Sequence, residues 1–533
     1  MVAGRWGMII GNLRPLASSH STQLGNLRLA GPPVPKGRLQ GLKSMVILPS
    51  WKPDDIYPSK IASSAISYQH PLGPLYIATC IQEAGHEVEL VDGAFWTHGE
   101  ILDKVRRLRP GFVGLSANAS MWTKAMKAAA GIKAIDPSIH VSAAGPYPSA
   151  VQEKSLEQCP ELDSIVIGEG ELTVPELIAR LEQGESLTGV AGVAFRAADG
   201  TITVNEPRPL IEDLDIIPIP RRELLGDFDK YESPPGNYRR KPIAIVMTSR
   251  GCPARCIYCF QMKGERRIRY RSVDNVVREV EELVNHYGFR EIRFLDETFT
   301  ADRERAMELL RRFRELRLDF SFFVSSRVNT VDYELLREMK KAGCWAILFG
   351  AESGVQKNLN TLRKGVRLEQ TRSAVAAAKK AGLKVTTPFI IGIPGETYEE
   401  ALETVEFAVR LDPHVANFHT MAPFPGTELY DHIEKYGTMS SNTDDYTFEG
   451  GAFVPHSMTR EEIERVRTIA FRRFYSRPGF ILRRLLAVRS LYDLKTVTKG
   501  ARSFFWLWAR GDTLSMKRPE PRGQGNKAGN RSG

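Results

Sequence analysis

From residue 241 onward the chain alternates six times between short apolar runs and longer stretches with one charged face. The runs are 243–247, 291–296, 320–325, 346–351, 384–391 and 414–421; the charge-faced stretches between them are 275–286, 303–316, 333–341, 368–381 and 399–410. Short runs rich in β-branched and aromatic residues read as strands, and apolar positions three and four apart read as helices. Such strand–helix repeats require parallel strands joined by crossover helices. Six units predict a partial (β/α)6, TIM-like barrel, three quarters of the closed eightfold form, with its reactive groups at the carboxyl ends of the strands.

At the end of the first of those strands stands Cys252-Pro-Ala-Arg-Cys256-Ile-Tyr-Cys259. Cubane iron–sulfur clusters take four cysteine ligands, and three thiolates in eight residues leave one iron open to a ligand from outside the protein. The remaining cysteines, Cys80, Cys159 and Cys344, are isolated in sequence. A structural zinc site would need a second pair or histidine partners downstream, and none follows. Six cysteines in 533 residues are too few for a disulfide framework. Cys344 reads as a buried thiol, with a catalytic role left open.

The cysteine spacing, with Tyr258 before the last thiol, resembles the radical S-adenosylmethionine superfamily. That resemblance implies a [4Fe-4S] cluster on Cys252, Cys256 and Cys259, with S-adenosylmethionine on the open iron, where one electron cleaves it to a 5′-deoxyadenosyl radical. It further implies cosubstrate contacts at strand ends. These are Tyr258; Asp296 and Glu297 in Leu295-Asp-Glu-Thr-Phe-Thr300; Ser325 and Arg327; Glu352 and Ser353 in Phe349-Gly-Ala-Glu-Ser-Gly354; and Gly392 and Gly395 in Gly392-Ile-Pro-Gly-Glu-Thr397. Taken singly, the last element is an ordinary strand-to-helix turn and helix start.

Residues 45–186 carry a second α/β pattern, with strands at 45–48, 87–91, 112–116, 140–144 and 164–167 and a helix at 72–83. This is a doubly wound, Rossmann-like arrangement, whose ligand crevice lies at the strand carboxyl ends. His70-Pro-Leu-Gly-Pro-Leu-Tyr76, Ala84-Gly-His-Glu-Val88, Gly145-Pro-Tyr-Pro-Ser149 and Gly168-Glu-Gly-Glu171 resemble the cobalamin-binding domain that precedes many radical S-adenosylmethionine enzymes. The resemblance implies cobalamin contacts at Ser116, Ala117, Ala144, Gly145, Tyr147, Gly168 and Glu169. The Asp-x-His-x-x-Gly signature that supplies a cobalt ligand is absent, and Asp412-Pro-His414 lies in the barrel. Binding without a protein imidazole on cobalt is therefore expected. His70 and His86 read as turn or surface residues.

Residues 187–240 read as a linker containing a β-hairpin at 192–204, followed by the Pro-rich stretch 207–222. The barrel occupies 241–438, a helical C-terminal segment 439–515 and a disordered basic tail 516–533. Residues 1–44 hold six Lys/Arg and no acid, and read as a disordered leader. From 451 to 533 there are 18 Lys/Arg against 6 Asp/Glu, a surplus larger than the +10 of the whole chain. Basic amphipathic patterns at 463–475 and 480–494, then Phe504-Phe-Trp-Leu-Trp508, fit a membrane-surface element or helices capping the barrel; nucleic acid is the weaker fit. No run is long and apolar enough to span a bilayer. Scattered cysteines and an oxygen-sensitive cluster favour a reducing cytoplasm, with peripheral membrane contact if the basic segment touches lipid.

The two resemblances together imply a cobalamin-dependent radical methyltransferase acting on an unactivated carbon of a lipid-like or natural-product substrate. An electron donor such as flavodoxin or ferredoxin is the implied partner. The alternative is a cobalamin-associated radical cyclase, rearrangement or oxidation enzyme of the tetrapyrrole ring-closing type. A tRNA methylthiotransferase would carry further N-terminal cysteines, and a cobalamin sensor would need no cluster.

Overall fold

Strands form where apolar side chains can be buried on both faces, and the computed structural model places two parallel sheets at those runs. It describes residues 42–52, 68–231, 238–261, 266–447 and 451–486, with Val488 and Thr498. The expectations for the leader before residue 42, for 504–508 and for the basic tail lie outside these residues.

The N-terminal sheet is built from β1 (Ser44–Leu48), α1 (Leu72–Glu83), β2 (Val88–Asp92), α2 (His98–Leu108), β3 (Phe112–Ser116), α3 (Trp122–Ile135), β4 (His140–Ala144), α4 (Pro146–Val151), α5 (Lys154–Gln158), β5 (Ser164–Val166) and α6 (Gly170–Glu182). Then come β6 (Val193–Arg196) and β7 (Ile202–Val204). The sheet order is β2-β1-β3-β4-β5-β6-β7, parallel through β5. Two boundaries move. Ser44, expected in the leader, is buried in β1. The hairpin, expected in the linker, pairs antiparallel with β5 and extends the sheet.

The second sheet comprises β8 (Ile243–Val246), followed by the short β9 (Ser249–Arg250) and β10 (Arg269–Tyr270), α7 (Val273–Asn285), β11 (Glu291–Phe294), α8 (Arg303–Glu315), β12 (Ser321–Ser326), α9 (Tyr333–Lys341), β13 (Cys344–Phe349), α10 (Gln356–Thr361), α11 (Leu368–Lys380), β14 (Lys384–Ile391), α12 (Tyr398–Leu411) and β15 (Val415–Thr420). Its order, β15-β14-β13-β12-β11-β8, is sequential and parallel, with β8 and β15 as the two edges. This is the open (β/α)6 barrel. Alternate residues such as Val246, Ile292, Phe294, Phe322 and Val324 join Val280, Leu309 and Leu336 of the helices in one outer core, as the period of two requires.

After the barrel come α13 (Glu428–Asp431), α14 (Ile433–Tyr436), β16 (Gly437–Met439), β17 (Phe453–Pro455), α15 (Arg460–Tyr475) and α16 (Pro478–Leu486). The segment is therefore not purely helical: β16 and β17 pair antiparallel. α15 starts at a reciprocal cap between Thr459 and Glu462. It buries Ile463, Val466, Ala470 and Phe474 in the barrel's outer core, while Tyr475 donates from its hydroxyl to the Ala416 carbonyl at 2.8 Å.

Candidate active site

The cysteine loop begins where β8 ends. Asp296, beyond β11, is fully buried and accepts from the Thr248 hydroxyl at 2.7 Å, the Thr248 amide at 3.2 Å and the Ser249 hydroxyl at 2.5 Å. Its carboxylate thus pins the chain entering the loop, and burial raises its pKa. Of the two acidic residues expected to contact the cosubstrate, Asp296 is thus turned toward the loop entry, and its neighbour Glu297 stands exposed at the rim. Beyond Gly251, Ile257 anchors the loop: its amide donates to Leu362 O, its carbonyl accepts from Leu429 N, and its side chain is buried with Leu362, Ile393 and Met421. Gln261 donates to the Cys252 carbonyl at 2.8 Å. Cys252 and Cys256 are half-buried and Cys259 is exposed.

Behind the loop lies a cation that the sequence reading missed. Lys364 is buried, pairs with Glu352 at 2.7 Å and approaches the Tyr258 hydroxyl at 3.4 Å. Arg327 donates to the Lys364 carbonyl. Glu352 sits in the left-handed region at φ +61°. The Glu352–Lys364 pair also fills the space beside Gly350: a Cβ there would fall 2.5 Å from Glu352 Oε1 and 2.7 Å from Lys364 Nζ and would push the pair aside. A hydrogen bond from Cys259, aided by the Lys364 and Arg327 charges, pulls the Cys256 thiol down to about 6. Tyr258 moves the opposite way, well up, through burial and the nearby Glu352.

Four other expected contact residues take the following places. The Ser353 hydroxyl is buried between Thr404 Oγ1, at 3.0 Å, and the Val355 amide. Gly392 is buried, donates to Glu396 at 2.7 Å and lies against Ile463. Gly395 lies on an exposed turn, where its carbonyl accepts from Lys357. Ser325 is half-buried at the end of β12, and its carbonyl accepts from Phe299 N.

Three thiols on one loop, with Cys256 held toward thiolate by the Cys259 hydrogen bond and then by neighbouring cations, fit an iron–sulfur cluster.

At the other sheet, Ser116, Ala144, Gly145 and Gly168 lie half-buried along the carboxyl edge of β3 to β5, where no large side chain projects from these positions. Gly145 turns at φ +117°, and a Cβ there would lie 2.6 Å from the Ala117 carbonyl. Such a bare edge fits a flat macrocycle or its tail. Ala117 and Tyr147 are buried behind it; Tyr147 lies on α4 against Trp122 and bonds Gln158, so its side chain is part of the core. Glu169, at the same edge, is buried. It pairs with Arg250 at 2.7 Å and Arg269 at 2.9 Å, and Glu171 pairs with Arg250 at 2.5 Å. Arg250 is two residues from Cys252, so this clasp joins the two carboxyl edges. Gly426 fills the remaining gap, with Phe260 and Ala150 both within 3.0 Å of where its Cβ would be. His70, expected at a surface turn, is buried between Tyr231 and Phe289 beside Arg222.

Residues 246–408 match the radical SAM superfamily model and residues 58–178 the B12 binding domain model. An uncharacterised methyltransferase of Pyrococcus horikoshii is 36% identical over 436 residues, covering 79% of this chain and 93% of that protein. The chain belongs to the cobalamin-binding radical S-adenosylmethionine enzyme family. An anaerobic magnesium-protoporphyrin IX monomethyl ester cyclase of Rubrivivax gelatinosus is 29% identical, covering 77% and 74% of the two chains. Two solved family structures share the fold. The methyltransferase TsrM from Kitasatospora setae, with cobalamin and [4Fe-4S] cluster bound, gives a TM-score of 0.64 at 18% identity, covering 87% of this chain and 100% of that one. OxsB, with aqua-cobalamin and S-adenosylmethionine bound, gives 0.66 at 17%, covering 88% and 72%. The cofactors of this family member are a [4Fe-4S] cluster, S-adenosylmethionine and cobalamin.

Proposed function

We propose that this enzyme transfers a methyl group to an unactivated carbon of a lipid-like or natural-product small molecule. The observation that carries this reading is the Glu169–Arg250–Glu171 clasp, which fixes the bare edge of the N-terminal sheet beside the cysteine loop. When bound, the cofactors supply a hydrogen-abstracting radical on one side and a transferable methyl group on the other. The chain's own part is to hold them. Cys252, Cys256 and Cys259 take the cluster; Ser116, Ala144, Gly145 and Gly168 leave room for the corrin; Tyr258, Arg327, Glu352 and Lys364 border the cosubstrate. Fixing the reactants this closely is itself a large share of catalysis.

The 29% identity to a cyclase supports a second reading, radical ring closure. Mass spectrometry of anaerobically reconstituted protein with S-adenosylmethionine, reductant and cobalamin separates the two. Cobalamin-dependent S-adenosylhomocysteine alongside 5′-deoxyadenosine supports methyl transfer; 5′-deoxyadenosine alone supports cyclisation or oxidation.

Reductive cleavage needs an electron donor, for which flavodoxin or ferredoxin is the fitting class. We also propose peripheral contact with lipid. Among the described residues no helix is long and apolar enough to cross a membrane. On α16, however, Ile481, Leu482, Leu485 and Leu486 are exposed, while the exposed Arg483 pairs with Asp412 and the half-buried Arg484 donates to the His414 carbonyl.

A further inference from the structure

Along β11 the side chains of Ile292 and Phe294 enter the outer core, so Arg293 between them projects into the barrel lumen. There its guanidinium lies 5.0 Å from the centre of the Phe323 ring, and Phe323 clusters with Trp345, Ala346 and Leu348. Among the described residues no carboxylate pairs with Arg293, and its Nε is buried without a hydrogen-bond partner. Four guanidiniums nearby have an anion, Arg222 and Arg271 sharing Glu279 and Arg250 and Arg269 sharing Glu169, and Arg305, without an ion pair, donates to the Thr248 and Arg271 carbonyls; the half-buried Arg293 has neither. Burial alone acts on Arg293, lowering its pKa with no opposing charge. A buried cation left unpaired is costly, and a lumen is where a ligand can supply the missing charge.

The register gives the depth. Arg293 pairs with Ile245 and Phe323 in the neighbouring strands, three residues below Asp296 and hence about 10 Å beneath the rim at about 3.3 Å per residue. The inward positions above and beside it, Met247, Ser325, Leu348 and Pro388, are half-buried, whereas the outward residues are fully buried. The lumen is thus accessible and largely apolar, with the Arg293 cation at depth; the buried Glu291, two residues below on the same face, is already engaged by Trp345 Nε1, Ser321 and the Arg239 and Arg240 amides.

We propose that Arg293 is a substrate-recognition residue, and that the substrate is an amphiphilic acid whose carboxylate or phosphate pairs with this guanidinium while its apolar body lies along the lumen. This rests on the methyl-transfer reading only for the word substrate; the anion site is read out separately from turnover.

The test is calorimetric titration of the unreduced, cluster-reconstituted full chain, saturated with S-adenosylmethionine, using inorganic phosphate and, separately, octanoate. Wild type is expected to bind at least one of them, with affinity falling at least about tenfold in Arg293→Met and partly retained in Arg293→Lys. The melting temperature of Arg293→Met is expected to be no lower than wild type, because an unpaired buried charge is removed. Binding of neither anion by wild type, or equal binding by Arg293→Met, overturns the proposal. So does an Arg293→Met variant that loses S-adenosylmethionine affinity instead, which would assign the guanidinium to the cosubstrate carboxylate. Absence of S-adenosylhomocysteine during turnover would sink methyl transfer and leave the anion site standing.

Discussion

Each thiol of the loop has a different surrounding, yet all three are needed for one cluster. Cys252→Ala, Cys256→Ala or Cys259→Ala is expected to abolish both the brown cluster absorbance and 5′-deoxyadenosine formation; persistence of both in any one variant would remove that residue from the ligand set. Glu396 gives a second residue-scale prediction. Buried beside the amides of Gly392 and Ile393, it is pushed up to about 8 by desolvation. Asn358 Nδ2 lies 3.0 Å from its Oε1, and Asn358 Oδ1 has no partner, so a flipped Asn358 amide would accept the carboxyl proton. The sign follows from linkage. The folded chain holds this proton more tightly than the unfolded one, so the stabilisation is full below about 4.5 and lost as pH rises through about 8. About 5 kcal/mol is at stake over that range. Melting temperatures between pH 6 and 9 should therefore fall less steeply in Glu396→Gln than in wild type.

At the scale of elements, α15 and α16 share a pattern of arginines among apolar residues but not a role. α15 is spent on the barrel: Ile463, Val466 and Phe474 lie in its core, and removing it would expose β15. Only α16 offers an apolar ridge to the outside. Replacing Leu482, Leu485 and Leu486 with Ser should leave the melting temperature within about 1 °C, since the side chains are 55–72% exposed. Flotation with anionic liposomes should drop several-fold if the ridge meets lipid; unchanged flotation would remove it from membrane contact.

At the scale of the whole molecule, buried charge fixes one sheet against the other. Arg250→Ala would leave Glu171 without its partner and Glu169 with only Arg269, at a cost of about 3–5 kcal/mol. Arg250→Lys, which keeps the charge but not the fork, should lose less. Urea denaturation of the apoprotein would order the three proteins. The linker is strapped in the same way by Arg222, which is fully buried and paired with Glu279 at 2.6 Å. None of these partnerships is legible in the chain. Periodicity displays the strands and helices because it is local, and the three cysteines display the cluster because their chelate closes within eight residues. The small residues at the ends of β3 to β5 are legible for the same reason. Lys364 stands twelve residues from Glu352, Arg250 some eighty from Glu169, and Arg293 looks like any strand residue until the barrel curves it inward. Ser353 and Glu169 sit in motifs legible in the sequence, but a motif does not say which way a side chain turns. That direction is set by which neighbour needs a buried donor, acceptor or charge satisfied. From its sequence alone the chain determined its two sheets, its cluster loop and its family. Only the tertiary structure decided which charges meet across the interface and that the Arg293 guanidinium faces the lumen with no carboxylate paired to it among the described residues, because burial and pairing arise between segments far apart along the chain.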